Sequence, residues 1–178
     1  MTTSKAATKT RRDFLILTAG VMGTVGTAGF VWPFINSLRP AADTRAMSTT
    51  EVNLSPIGVG QALTVMWQGK PVFIRHRTEE EIINVRNDDL NLLIDPEQDE
   101  VRFKENPQWL VVVGICTHLG CVPLGQKSTD VRGDYNGWFC PCHGSHYDVS
   151  GRIRKGPAPF NLEVPKYVFL EDMVLRIG

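Results

Sequence analysis

A disulfide framework spread over the fold is missing from this 178-residue chain. Its four cysteines all lie between Cys116 and Cys142, which marks one local site. Nor does either charge dominate: 19 Lys and Arg balance 19 Asp and Glu. No basic stripe runs through the body of the chain, and that excludes a nucleic-acid binder. No internal repeat and no second folded domain are visible. Charge is absent altogether from Phe14 to Ile35, and the first charged residue after Asp13 is Arg39.

That uncharged run has 22 residues. As a helix rising ~1.5 Å per residue it covers roughly 33 Å, enough to cross a hydrocarbon core. Lys5, Lys9, Arg11 and Arg12 precede it, whereas from Glu51 to Gly178 13 Lys and Arg face 17 Asp and Glu. A basic head before an apolar run keeps the head in the cytoplasm and sends the body across. Arg11-Arg12, one residue before the run, reads as a twin-arginine export signal. A cleaved signal has a shorter apolar region, about 7–15 residues, and Thr44-Arg45-Ala46 matches a cleavage site only weakly. The expectation is therefore a retained anchor. Gly20, Gly23, Gly26 and Gly29 fit either a helix-packing face or a glycine-rich export signal, and Pro33 allows a kink or exit near the end. The expected layout is a cytoplasmic segment over 1–13, a transmembrane anchor over 14–35, a flexible linker over 36–50 and a folded domain over 51–178, with the hinge at Ala42–Met47.

After the linker the sequence is mainly β. Ala62 to Trp67 and Val72 to Arg77 are β-rich runs separated by Gln68-Gly69-Lys70-Pro71, a hairpin signal. Thr78 and Glu81 have the spacing of a capping box at a helix start. Trp109 to Ile115 is a continuous apolar run, as a strand buried on both faces requires. Glu163 to Leu170 and Met173 to Ile177 read as a closing antiparallel pair. Such runs, punctuated by Gly and Pro, predict stacked antiparallel sheets. His76, in a charged strand, reads as a surface residue, and His146 has no assigned role.

The chemistry is concentrated in two blocks, Cys116-Thr-His118-Leu-Gly-Cys121 and Cys140-Pro-Cys142-His143-Gly-Ser145-His146-Tyr147. Each offers one Cys–His pair, Cys116/His118 and Cys140/His143. Two facing loops of this kind can put both thiolates on one iron and both imidazoles on the other, the arrangement of an asymmetric 2Fe–2S centre. Cys121 and Cys142 remain, one per block, and a disulfide between them would tie the loops together. A structural zinc site is the alternative that these residue types leave open, although neither block has clean zinc-knuckle spacing.

With Asp148-Val-Ser-Gly-Arg152-Ile-Arg154-Lys155-Gly156-Pro157-Ala158-Pro159, the two blocks resemble the Rieske iron–sulfur subunit of ubiquinol–cytochrome c reductase. The likeness is strongest from about Val101 to Phe169 and departs slightly at Ile16, where a lysine is common. It implies a Rieske head of antiparallel sheets with a small cluster-binding part at about 114–160. One 2Fe–2S cluster is implied per chain, on Cys116, His118, Cys140 and His143, beside a Cys121–Cys142 disulfide. Ser145 and Tyr147 are implied donors to the cluster sulfur and to the Cys116 sulfur, which would raise the potential. Leu119 and Gly120 are implied at the quinol-site contact, and Gly156, Pro157, Ala158 and Pro159 in a loop covering the cluster. The family role is to take an electron and a proton from quinol, with His143 as the catalytic group, and pass the electron to a c-type cytochrome. Cytochrome b and c-type partners in a dimeric complex follow, with the chain in a bacterial inner membrane and its head in the periplasm. The competing assignment is the small Rieske subunit of an exported arsenite oxidase.

Overall fold

The structure is a computed structural model that describes residues 10–39, 48–103, 105–171 and 173–178. It divides into two units, Met1–Arg45 and Ala46–Gly178.

The described residues of the first unit form one helix, α1 (Arg11–Ser37). Thr10 caps it: its hydroxyl oxygen accepts the Asp13 N–H at 3.3 Å, and the Asp13 carboxylate accepts the Thr10 N–H at 2.9 Å. These bonds satisfy two of the donors that a helix start leaves free. Within the apolar stretch, the hydroxyls of Thr18, Thr24 and Thr27 donate to carbonyls four residues back, each at 2.8 Å. No threonine therefore presents an unpaired hydroxyl on a surface suited to lipid. The helix continues through Pro33, so Asn36 and Ser37, expected in the linker, are helical. α1 is long and apolar enough to cross a membrane. The expected hinge, Ala42–Met47, and the weak cleavage site at Thr44–Ala46 lie outside the described residues.

The second unit holds three antiparallel three-stranded sheets. One contains β1 (Thr50–Asn53), β9 (Val174–Ile177) and β8 (Tyr167–Glu171), in that order. Another contains β2 (Ala62–Trp67), β3 (Lys70–His76) and β4 (Trp109–Val113). The last contains β5 (Asn136–Cys140), β6 (Ser145–Asp148) and β7 (Ile153–Lys155). Between β3 and β4 the chain inserts α2 (Glu79–Arg86), a 3-10 turn (Leu90–Leu92) and a short α3 (Asp99–Arg102). The Thr78–Glu81 capping box at the start of α2 is formed.

The sheet of β2, β3 and β4 is the middle layer, and its alternation explains the unbroken apolar run of β4. Side chains of a strand alternate faces. Val72, Ile74, Trp109 and Val111 pack on one side with Val52, Leu54, Leu175 and Ile177. Phe73, Leu110 and Val112 pack on the other with Trp138, Tyr147 and Ile153. Every residue of β4 is buried. Each such fully buried aliphatic side chain contributes about 1.5–3 kcal/mol.

Two local expectations are corrected. The β2–β3 connection is a two-residue turn of Gln68 and Gly69, because Lys70 and Pro71 already belong to β3 and Trp67 pairs with Lys70. Both turn residues have positive φ, 49° and 75°, as a hairpin that follows the strand twist requires. His76 is half-buried rather than a free surface residue: its ring stacks on Trp109 at 4.2 Å between centroids, and Nδ1 lies 3.0 Å from the Ile57 carbonyl.

Candidate metal centre

The two cysteine blocks form two loops built alike. In each, the N–H of a glycine four residues after the first cysteine donates to that cysteine's carbonyl. The pairs are Gly120 to Cys116 and Gly144 to Cys140, both at 3.0 Å. Both glycines have positive φ, 83° and 76°, a region that disfavours other residues. The first loop follows β4, and the second joins β5 to β6. Cys121 of the first and Cys142 of the second are joined in a disulfide.

The four remaining ligand-type side chains sort themselves by chemistry. Cys116 and Cys140 are free, buried thiols. Burial, and with it the neighbouring Cys116 thiol, pushes the Cys140 thiol above its ordinary pKa. Three sulfurs, those of Cys121, Cys140 and Cys142, lie within 4.8 Å of one another, but the disulfide leaves only Cys140 of these with a free thiol. The rings of His118 and His143 meet edge to face at 4.7 Å between centroids. Nδ1 of His118 is buried with no hydrogen-bond partner. A buried, unpartnered nitrogen costs free energy unless something binds it. Two neighbouring buried thiols and two imidazoles in contact, with one imidazole nitrogen orphaned, is the donor set that an asymmetric 2Fe–2S cluster takes.

Other polar groups converge on these residues. The Tyr147 hydroxyl, buried in β6, donates to the Cys116 sulfur at 3.2 Å and accepts the Thr117 N–H at 3.2 Å. Burial, and then the sulfur it donates to, raises the Tyr147 pKa well above that of an ordinary tyrosine, so it remains a donor at physiological pH. Ser145 Oγ accepts the N–H of Ala158 at 3.2 Å, which leaves its own proton free to donate. Gly156, Pro157, Ala158 and Pro159 lie against the second loop: a Cβ at Gly156 would fall 2.5 Å from the Gly144 carbonyl. Only Ala158 of this loop is buried. Leu119 and Gly120 are exposed, Leu119 by 70 %. His146 is half-buried, and its Nδ1 accepts the Asp134 N–H at 3.1 Å.

Several residues that matter here escaped the sequence reading. The Thr117 hydroxyl donates to the Phe160 carbonyl at 2.6 Å and so fastens the first loop to the segment after the proline loop. Phe160 itself is 64 % exposed. Gln126 accepts the Trp138 indole N–H at 3.2 Å and donates to the Leu63 carbonyl at 3.1 Å, joining the cluster-side core to β2. Behind the loops lies a buried set of charges, Arg77, Asp99, Arg102, Asp148 and Arg152. A hydroxyl between two ligand-type residues and a lone aromatic after a proline run were the available signals for Thr117 and Phe160. The buried charges had little: Asp148 and Arg152 stand four residues apart, but Arg77, Arg102 and Arg152 also bond to Asp99, Ser150 and Val85, 22 to 67 residues away in the chain.

Fold and site together define a small β protein whose two disulfide-tied loops present a Cys2His2 donor set for an iron–sulfur cluster. Comparisons with known proteins carry this further. Residues 58–167 match the Rieske [2Fe-2S] domain, and residues 1–41 match the family described as "Ubiquitinol-cytochrome C reductase Fe-S subunit TAT signal". The chain is 60% identical over 168 residues to the ubiquinol-cytochrome c reductase iron-sulfur subunit of Rhodospirillum rubrum, covering 94% of this chain and 91% of that protein. The same subunit of Rickettsia prowazekii is 58% identical, with coverage of 95% and 93%. The mitochondrial Rieske subunit of the Saccharomyces cerevisiae cytochrome b-c1 complex is 53% identical, with coverage of 91% and 73%. Among solved structures, a chain of a hyperthermophilic respiratory Complex III superposes with a TM-score of 0.52 at 26% identity, covering 89% of this chain and 97% of that one. The chain belongs to the family of Rieske iron–sulfur subunits of ubiquinol–cytochrome c reductase. Its cofactor is a 2Fe–2S cluster and its work is electron transfer in an oxidoreductase complex, which sets aside the arsenite oxidase alternative.

Proposed function

We propose that Cys116 and Cys140 hold one iron of the cluster and His118 and His143 the other, and that His143 is the group that meets quinol. The observation that carries this is the sorting of donors: two buried free thiols together, two imidazoles together, and an orphaned buried Nδ1 on His118. When bound, the cluster supplies a one-electron acceptor whose reduction makes its imidazole ligands more basic. His143 is an exposed residue, so its ring is open to a substrate hydroxyl, while Cys116 and Cys140 are shielded. Quinol, held in a cytochrome b partner, gives its proton to the free imidazole nitrogen of His143. The electron is passed on to a c-type cytochrome and the proton is released outside. Leu119 and Gly120 form the exposed contact for the quinol-site partner. Ser145 and Tyr147 donate hydrogen bonds that favour the reduced, more negative state, and the proline loop keeps water from that side.

In this reading α1 is a single-pass anchor. Arg11 and Arg12 keep its start in the cytoplasm, so the head stands in the periplasm of a bacterial inner membrane. The expected hinge over Ala42–Met47 serves the same end, since one centre must visit a quinol site and a haem site in a dimeric complex. The test is a redox titration at several pH values of the complex purified from its own membrane. The reduced protein gives a Rieske-type paramagnetic signal, cytochrome b and a c-type cytochrome co-purify, and the midpoint potential falls as pH rises through the imidazole pKa. A colourless, zinc-bearing protein, or a potential that does not vary with pH, overturns the assignment.

A further inference from the structure

We propose that Arg152 is a positioning residue for the centre and acts through Tyr147; the inference rests on reading the Tyr147 hydroxyl as donor to a cluster-ligating sulfur. Tyr147 is followed by Asp148, the last residue of β6. Both oxygens of the Asp148 carboxylate are engaged. Oδ1 accepts the N–H groups of Ser150 and Arg152, each at 2.9 Å, and Oδ2 accepts Nε of Arg152 at 2.8 Å. The far end of the same guanidinium reaches the helical insertion. There its terminal nitrogen donates to the Val85 carbonyl at 2.9 Å and to Asp88 at 2.8 Å. Arg152 is 1 % exposed. One planar fork therefore ties the end of the strand carrying Tyr147 to the end of α2.

This link lies behind the strand and takes no part in the bonds around the thiols. Its route to the site is the placement of β6. The Tyr147 hydroxyl must meet a single sulfur at 3.2 Å, and such a bond weakens quickly with displacement or bending. A supporting shell that holds the donor in place decides whether the bond is made well. Arg152 could instead act on the centre simply as a nearby positive charge. Lysine separates the two roles: it keeps the charge and loses the fork that spans Asp148, Val85 and Asp88.

The experiment is a double-mutant cycle on the membrane-purified complex, read by redox titration, with iron content and the intensity of the reduced signal as controls. Tyr147→Phe alone tests the underlying reading, and its potential is expected to fall. Arg152→Lys is expected to keep the cluster and to shift the potential downward by less than Tyr147→Phe does. In the double variant the Arg152→Lys shift vanishes, leaving the potential of Tyr147→Phe alone. An unchanged potential in Arg152→Lys, or a shift that adds in full to that of Tyr147→Phe, overturns the proposal even where Tyr147→Phe behaves as expected. If Tyr147→Phe leaves the potential unmoved, the reading of Tyr147 falls, and this route for Arg152 with it. Should Arg152→Lys lose the cluster, Asp88→Asn loosens the outer end of the fork without touching Arg152 itself, at a side chain 27% exposed that also pairs with Arg154 at 2.6 Å. It is expected to give a smaller downward shift that is again absent in the Tyr147→Phe background, and no shift overturns the proposal.

Discussion

Asp99 shows how much of this head depends on single buried groups. Its side chain is fully buried against an equally buried Arg77, whose terminal nitrogen donates to it at 2.5 Å. Ser150 Oγ adds a bond at 2.6 Å and Arg86 Nε one at 3.3 Å. Burial alone would push the Asp99 carboxyl up. The bonds and charge of Arg77, with Ser150 and Arg86, outweigh it and hold the carboxyl below the ordinary range. A carboxylate with a depressed folded pKa lends stability that is fully present above its unfolded pKa, about 3.9, and is lost as pH falls through the folded value. Thermal unfolding is therefore expected to move to lower temperature below about pH 4. Asp99→Asn leaves Arg77 buried without its counter-charge and is expected to cost about 3 kcal/mol or more near neutral pH. Chemical denaturation of the head near pH 7 and again near pH 3 checks both: the variant should lose stability at the first pH and show a flatter acid dependence. Equal stability of variant and wild type at pH 7 would show the pair to be dispensable.

Among the elements, the β2–β3 hairpin departs furthest from what its residues prefer. Gln68 sits at φ 49°, where a side chain other than Asn or Asp is strained, ahead of Gly69 at 75°. The pair Asn-Gly is the favoured sequence for a two-residue turn of this hand. Gln68→Asn is expected to raise stability by several tenths to about 1 kcal/mol, seen as a higher melting temperature. A lower melting temperature would mean that Gln68 has a partner that matters more than its backbone. The middle sheet, by contrast, has little slack. Phe73 and Val112 face the cluster-side core from adjacent strands, so the layer that carries the first loop is also the wall against which Trp138 packs.

At the scale of the whole molecule the chain is an apolar helix and a compact head, joined through residues that include the expected hinge. If the head shuttles between two partners, the joint must bend and the head must not. Replacing Ala42–Met47 with prolines is expected to slow quinol-dependent cytochrome c reduction while leaving iron content and the reduced-state signal unchanged. Turnover at the wild-type rate would argue against a moving head. The arrangement of the head suits that task, because the two metal loops are fastened to each other by a disulfide and the turn after β6 is tied to the helical insertion by the Arg152–Asp88 pair.

Local chemistry was legible from residue order alone. Two Cys–His blocks, twin arginines before an uncharged run of helix-spanning length, a capping box at Thr78 and a β4 without a polar residue each state their role within a few positions, because the interactions involved span a turn or a strand. The reach of the hairpin turn and the stacking of His76 on Trp109 were misread. Each depends on a neighbour or a backbone angle that composition does not specify. Tertiary structure alone decided what stands behind the site. Arg77 meets Asp99, Arg102 meets the Ser150 carbonyl, and Arg152 reaches Val85 across 22, 48 and 67 residues respectively. Nothing in a charged residue marks it as buried. The cost of removing it from water is met by whichever partner the fold delivers, and that partner is known only once the layers are stacked.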